Sequence, residues 1–219
     1  MDIRVVADPG REAGVVLAEA ARAGGRVALS GGSTAGAAYE AAAALEPDWS
    51  GAEVWFGDDR AVPPGDDRSN YRLVRETLLD QLGKAPAAVQ RIEGELGADG
   101  AAAHYDLLVE GVEFELALNG IGPDGHTASL FPRSPGLRER ERRAIAAEAG
   151  LEPFIPRVTL TPPVFAASEL LVYLVAGERK AEAVARAFAG EPSEDTPASL
   201  IRGRRTIALL DEAAASLLP

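Results

Sequence analysis

Phe-Glu-Leu-Ala-Leu-Asn-Gly-Ile-Gly-Pro-Asp-Gly-His-Thr-Ala-Ser-Leu-Phe, residues 114–131, is the stretch whose reading decides the fold. Phe114, Leu116 and Leu118 alternate as in a β-strand, and the run then breaks at Gly120, Gly122 and Gly125. The break delivers Asp124 and His126 into a tight loop at a strand end, which is where open α/β sheets bind ligands. His126 is one of two histidines in the 219 residues.

The same grammar recurs on either side. Residues 3–7 read as an edge-like strand. Ala13, Val16, Leu17 and Ala20 then recur at helical spacing until Gly24-Gly25. Val27-Ala28-Leu29 runs into Ser30-Gly31-Gly32-Ser33-Thr34 and an alanine-rich helix to about Leu45. Val54-Trp55-Phe56 ends in Gly57-Asp58-Asp59-Arg60. A helix follows with Tyr71, Val74, Leu78 and Leu82 on one face, and a further helix spans about 98–110. Beyond residue 131 come a possible strand near 144–147, an extended run at 157–161 and a short helix near 165–167. The apolar strand 170–176, a helix through Ala181–Phe188 and a last strand at 207–210 complete the series. Strands alternating with helices imply an α/β fold, a mostly parallel sheet flanked by helices on both faces in a Rossmann-like three-layer sandwich. No internal repeat or long linker divides the chain, so residues 1–219 read as one domain.

Composition limits the partners. Thirty-four acidic side chains against 22 basic ones give a net charge of −12, so no nucleic acid is expected, because phosphate backbones need a basic face. An anionic small molecule requires arginines and lysines gathered locally against that field. No window approaches about 18 uninterrupted apolar residues, so no membrane span is expected. The first residues lack the apolar core of a signal peptide. There is no cysteine, hence no disulfide, thiolate nucleophile or zinc–thiolate cluster. A cytoplasmic protein is the expectation.

Ser30–Thr34 lies between a strand and a helix start, where backbone N–H groups and the helix N-terminus attract anions. It has no Gly-Lys-[Ser/Thr] ending, so it is not a nucleoside-triphosphate loop. On this segment alone, an anion loop and a plain glycine turn with a Ser/Thr N-cap are both open. Gly57–Arg60, taken alone, reads first as a solvated turn whose charges cap the next element and second as part of a site. Gly120–Gly125 matches G-x-G-x-x-G, but it is not in the first strand–helix unit, Pro123 stiffens the turn, and no strand ends in an acid about 20 residues later. The better reading pairs His126, which can take and return a proton near neutrality, with Asp124, which can orient the ring. No serine sits in a nucleophile elbow, so water is the expected attacker. His104, in an alanine-rich helix, reads as structural. Arg157 and Lys180 are candidate local cations that could form a phosphate clamp with the Ser33 loop.

Gly-Ile-Gly-Pro-Asp-Gly-His-Thr-Ala-Ser-Leu-Phe-Pro at 120–132 resembles the signature of the 6-phosphogluconolactonases. Residues 28–34, 56–64, 69–72, 157–161 and 177–181 match the family in order, so the resemblance spans most of the chain. It implies an α/β sandwich shared with glucosamine-6-phosphate deaminases and hydrolysis of 6-phosphoglucono-1,5-lactone without cofactor or metal. It also implies His126 as general base with Asp124 its partner. Gly32, Ser33, Thr34, Arg157 and Lys180 would form the phosphate site, with Asp58 and Arg60 near the substrate. The expected partner is a sugar-phosphate lactone, the expected assembly a monomer or small homo-oligomer. A deaminase-like isomerase and a non-catalytic sugar-phosphate sensor are the alternatives. Three positions depart from the family: Ala35 replaces a usual proline, Asp59 a usual glutamate, and Asn119 a small or apolar residue.

Overall fold

A computed structural model of the chain describes residues 1–152 and 154–219. In chain order the elements are β1 (Asp2–Val5), α1 (Pro9–Arg22), β2 (Arg26–Leu29), α2 (Ser33–Leu45), β3 (Glu53–Phe56), β4 (Asp58–Arg60) and α3 (Asn70–Thr77). Then come β5 (Ala88–Gln90), α4 (Gly97–Leu108), β6 (Leu116–Asn119), β7 (Ala144–Ala147), β8 (Arg157–Leu160) and α5 (Pro162–Ala167). The chain closes with β9 (Leu170–Val175), α6 (Ala181–Phe188), β10 (Arg205–Leu210) and α7 (Glu212–Ala215). Seven strands form one sheet in the order β1-β10-β9-β6-β2-β3-β5, and every pairing in it is parallel. β4, β8 and β7 form a second, antiparallel sheet.

Handedness assigns the layers. Right-handed crossovers that step in one direction along a parallel sheet place their helices on one face, and steps back place them on the other. β1→β2→β3→β5 steps one way, so α1, α2 and α3 share a face. The later crossovers step back, so α4, α5 and α6 cover the opposite face, where α4 packs on β7 and β8 of the small sheet. The α1–α2 contact is close because small residues line it: a methyl group on Gly14 would stand 2.6 Å from Ala41 Cβ. Asp8 starts α1 by accepting from the Arg11 N–H at 2.9 Å, and Ala13, Leu17 and Ala21 bury one stripe against the sheet. The central strands β2, β6 and β9 are buried on both faces, as a covered parallel sheet requires.

Four expectations need correction. The small sheet and β5 were not foreseen. The helix read through Leu82 ends at Thr77, where Leu78 leaves helical geometry (φ −124°, ψ −68°), and a 3-10 turn takes up Leu79–Gln81. The strand read from Phe114 begins at Leu116, although Phe114 is buried. The solvated-turn reading of Gly57–Arg60 also fails, because Asp58 and Asp59 are buried within β4. Its capping half survives, as described below.

Candidate active site

β2 and β6 are the strands from which the chain departs in opposite directions, the topological switch point of the sheet. Their ladder holds Val27 opposite Leu116 and Ala28 opposite Ala117, then stops. Beyond it the strand ends splay and open a cleft of about 310 Å³. Ser30–Ala35, Asp58, Arg60, Asn70, Asn119–Pro123, His126, Ala128, Arg157, Leu174–Ala176 and Lys180 line it. Ser30 has lost its strand neighbour, and the Tyr39 hydroxyl replaces it, accepting from the Ser30 N–H (2.9 Å) and donating to the Ser30 carbonyl (2.6 Å). Tyr105 does the same for Phe56 at the end of β3.

One end of the cleft is built for an anion. Gly32 sits at φ +111°, a conformation that side chains other than glycine rarely adopt, and it is the N-cap of α2 with no side-chain capping bond. The Ser/Thr N-cap alternative is thereby excluded: Ser33, exposed, and Thr34, half-buried, are already helical and lead an uncapped helix N-terminus into the cleft. Arg60 and Arg157 stand directly opposite each other on the antiparallel strands β4 and β8. Two like charges in such a pair repel unless something negative lies with them. Arg60 Nη1 donates to Asn70 Oδ1 and Arg157 Nε to the Ile155 carbonyl at 3.2 Å. Among the described residues no carboxylate forms an ion pair with either or with Lys180, although Asp58 and Asp59 act on Arg157, and Asp124 on Lys180, through space. Burial and the nearby Arg60 charge lower the Arg157 pKa, and burial lowers that of Lys180.

The other end holds the histidine. Pro123 and Asp124 occupy the corner of a turn closed by Gly125 N–H donating to the Gly122 carbonyl at 2.9 Å. Gly125 takes φ +92° with Thr196 packed against it, and the Ala198 N–H donates to its carbonyl at 2.9 Å. The turn places Asp124 Oδ1 2.6 Å from His126 Nδ1, and the same oxygen accepts the His126 backbone N–H at 3.1 Å. Burial pulls the Asp124 pKa up, but hydrogen bonding and charge from His126 more than offset it, so the carboxylate stays below its ordinary range. With Nδ1 committed to Asp124, Nε2 is the nitrogen left to take a proton. Phe131 packs on the imidazole (ring centroids 4.7 Å apart), while the Arg157 guanidinium lies 5.9 Å from the same ring's centroid.

Between the two ends, buried carboxylates organise the walls. Asp58 accepts from Ser129 Oγ at 2.6 Å, tying β4 to the histidine loop. Asp59 caps α3, accepting from the backbone N–H groups of Asn70 (2.6 Å) and Tyr71 (3.0 Å) and from Ser69 Oγ (3.1 Å). Burial nonetheless raises its pKa from 3.8 to about 6. A carboxylate whose folded pKa is raised binds its proton more readily in the native state, so stability falls as pH climbs between those two values. Denaturation midpoints measured across that window should show the decline, and Asp59→Asn should flatten it.

Every expected site residue except Asp124 lines the cleft, and Asp124 stands behind the imidazole. His104 is elsewhere, 3.4 Å from Glu93 at the surface. The loop 120–125 leads into no helix, so it lacks the N-terminus on which a dinucleotide pyrophosphate would rest. Ser30, Asn70 and Ser129 were missed as individual site residues. Their only sequence signal was membership of the quoted motifs. Among the described residues, no group of three His, Cys, Asp or Glu side chains is placed to hold a metal ion, and no helix is long and apolar enough to cross a membrane.

Comparison with known proteins follows the same lines. The family model for glucosamine-6-phosphate isomerases/6-phosphogluconolactonase matches residues 11–209. The 6-phosphogluconolactonase of Streptomyces coelicolor is 40% identical over 94% of this chain and 86% of its own. Among solved structures, 6-phosphogluconolactonase from Trypanosoma cruzi superposes with a TM-score of 0.85 at 26% identity, covering 99% of this chain and 96% of that one. A monomeric glucosamine-6-phosphate deaminase reaches a TM-score of 0.88 at 20% identity over 99% of this chain and all of its own, a likeness of fold.

Proposed function

The chain belongs to the glucosamine-6-phosphate isomerase/6-phosphogluconolactonase family, and on that basis we propose that it hydrolyses 6-phospho-D-glucono-1,5-lactone to 6-phosphogluconate, the lactone step of the oxidative pentose phosphate pathway, with His126 as general base. The observation that carries the mechanism is the 2.6 Å Asp124–His126 contact in a cleft that also gathers three cations, none of them ion-paired to a carboxylate among the described residues.

Arg157, Arg60, Lys180 and the N–H groups at the start of α2 hold the 6-phosphate, which relieves the repulsion between the facing arginines. Fixing the phosphate fixes the ring, so the attack of water becomes a positioned event. His126 Nε2 takes a proton from water as the water oxygen bonds to C1, and the carbonyl electrons move onto its oxygen. When the oxyanion collapses, the bond from C1 to the ring oxygen breaks, and the imidazolium gives its proton to that oxygen. Asp124 keeps the productive tautomer and stabilises the transient imidazolium.

The direct test follows lactone disappearance at a pH low enough to suppress spontaneous hydrolysis, with and without the protein. No acceleration would leave a sugar-phosphate sensor as the better reading. Arg157→Ala should raise KM by about 10- to 100-fold, with a smaller change in kcat, because a charge-assisted contact to the non-reacting phosphate is lost. A kcat loss with KM unchanged would place Arg157 at the reacting end instead.

A further inference from the structure

Asn119 is the last residue of β6, 1% exposed, and lines the cleft. Neither its Oδ1 nor its Nδ2 has a hydrogen-bond partner among the described residues. The amide reaches past the end of β2, since a methyl group on Gly57 would stand 3.5 Å from Asn119 Oδ1. Ser30 occupies the matching position on β2, two residues beyond the last ladder pair, and its buried Oγ is likewise unpartnered. A buried carboxamide with both ends free is costly in a fold, and no packing need explains it where an apolar side chain would serve. Its position is the switch point between the anion end and the histidine.

We infer that the Asn119 carboxamide, with Ser30 Oγ beside it, reads a ring hydroxyl of the phosphorylated lactone and so sets specificity for a fully hydroxylated sugar. The inference rests on the hydrolase reading above. The chemistry selects a hydroxyl over the developing oxyanion. An oxyanion could use only the Nδ2 donors and would leave the Oδ1 lone pairs facing negative charge. A hydroxyl both donates and accepts, so one hydroxyl or a vicinal pair satisfies both ends of the amide. A site that hydrogen-bonds a substrate hydroxyl also rejects analogues lacking it, because its own buried groups are then left unpaired.

The test is a cycle of two proteins and four substrates: wild type and Asn119→Leu, each with the parent 6-phospholactone and its 2-, 3- and 4-deoxy analogues. Wild type should lose about 10- to 100-fold in kcat/KM on one deoxy analogue, and Asn119→Leu should lose a similar factor on the parent. On that one analogue the variant should lose nothing further, since the partner hydroxyl is already gone. Its melting temperature should not fall, because the substitution removes two unpaired polar atoms; Asn119→Ala serves if leucine proves too bulky to fold. The inference is overturned by unchanged kcat/KM on the parent, by equal losses on all four lactones, or by a large drop in stability in both variants. Wild-type protein that fails to speed the parent lactone would sink the hydrolase reading, and the same cycle run as calorimetric binding would still decide the role of Asn119.

Discussion

His126→Asn is expected to lower kcat by about 10²- to 10⁴-fold while leaving KM and the affinity for 6-phosphogluconate nearly unchanged. Asparagine keeps a donor that can reach Asp124, so the loop retains its internal hydrogen bond, but it has no nitrogen able to accept a proton from water near neutrality. The groups proposed to hold the phosphate, Arg60, Arg157 and Lys180, are other side chains and stay in place. The loss should therefore be confined to the chemical step, which single-turnover measurements would isolate. A variant with near-normal kcat would remove His126 from the mechanism.

Gly122→Ala is expected to cost about 100-fold or more in kcat without contacting the substrate. Gly122 has no positive φ, so alanine is compatible with the backbone there. The new methyl group would instead occupy the place of the imidazole, overlapping His126 Nδ1 and Cε1, and stand 2.8 Å from Asp124 Oδ1. One of the two must move, and either movement breaks the 2.6 Å contact that fixes the tautomer. Catalysis is the expected casualty, with global stability reduced only modestly. A proton NMR spectrum of the two histidines would register the altered hydrogen bond, and unchanged kcat would show that the ring's position is not limiting.

The contrast between these residues shows what was legible beforehand. His126 and Asp124 are two positions apart in a loop bounded by glycines, so local spacing brings them together and the sequence suffices. The parallel sheet was equally plain, because its strands are buried apolar runs of four to six residues ending in glycine loops. β4 was opaque. Asp58-Asp59-Arg60 has no strand pattern, and its strand state comes from pairing with β8, a hundred residues away. The like-charge pair Arg60–Arg157 exists only in that register, so the strongest sign of an anion site could not be read from either motif alone. β5 hides in an Ala-Pro-rich run of three paired residues, too short to show alternation. Asn119 stood out as an unusual residue at a strand end. That its amide is unpaired is a property of the packing around it and has no local signature.

The position of β1 bears on how this chain comes to be folded. Residues 2–5 hydrogen-bond to 207–210 and to no other strand, at the rim of the sheet. During synthesis β1 must therefore wait for β10, which follows it by most of the sheet, before its residues are paired. The segments that open the cleft, β2, β3 and β6, lie within residues 26–119 and can associate long before that. Closure of the β10–β1 rim is therefore a long-range pairing of the kind that slows folding. The cleft, lined also by Arg157, Leu174–Ala176 and Lys180, is complete only once those later segments have joined the switch point.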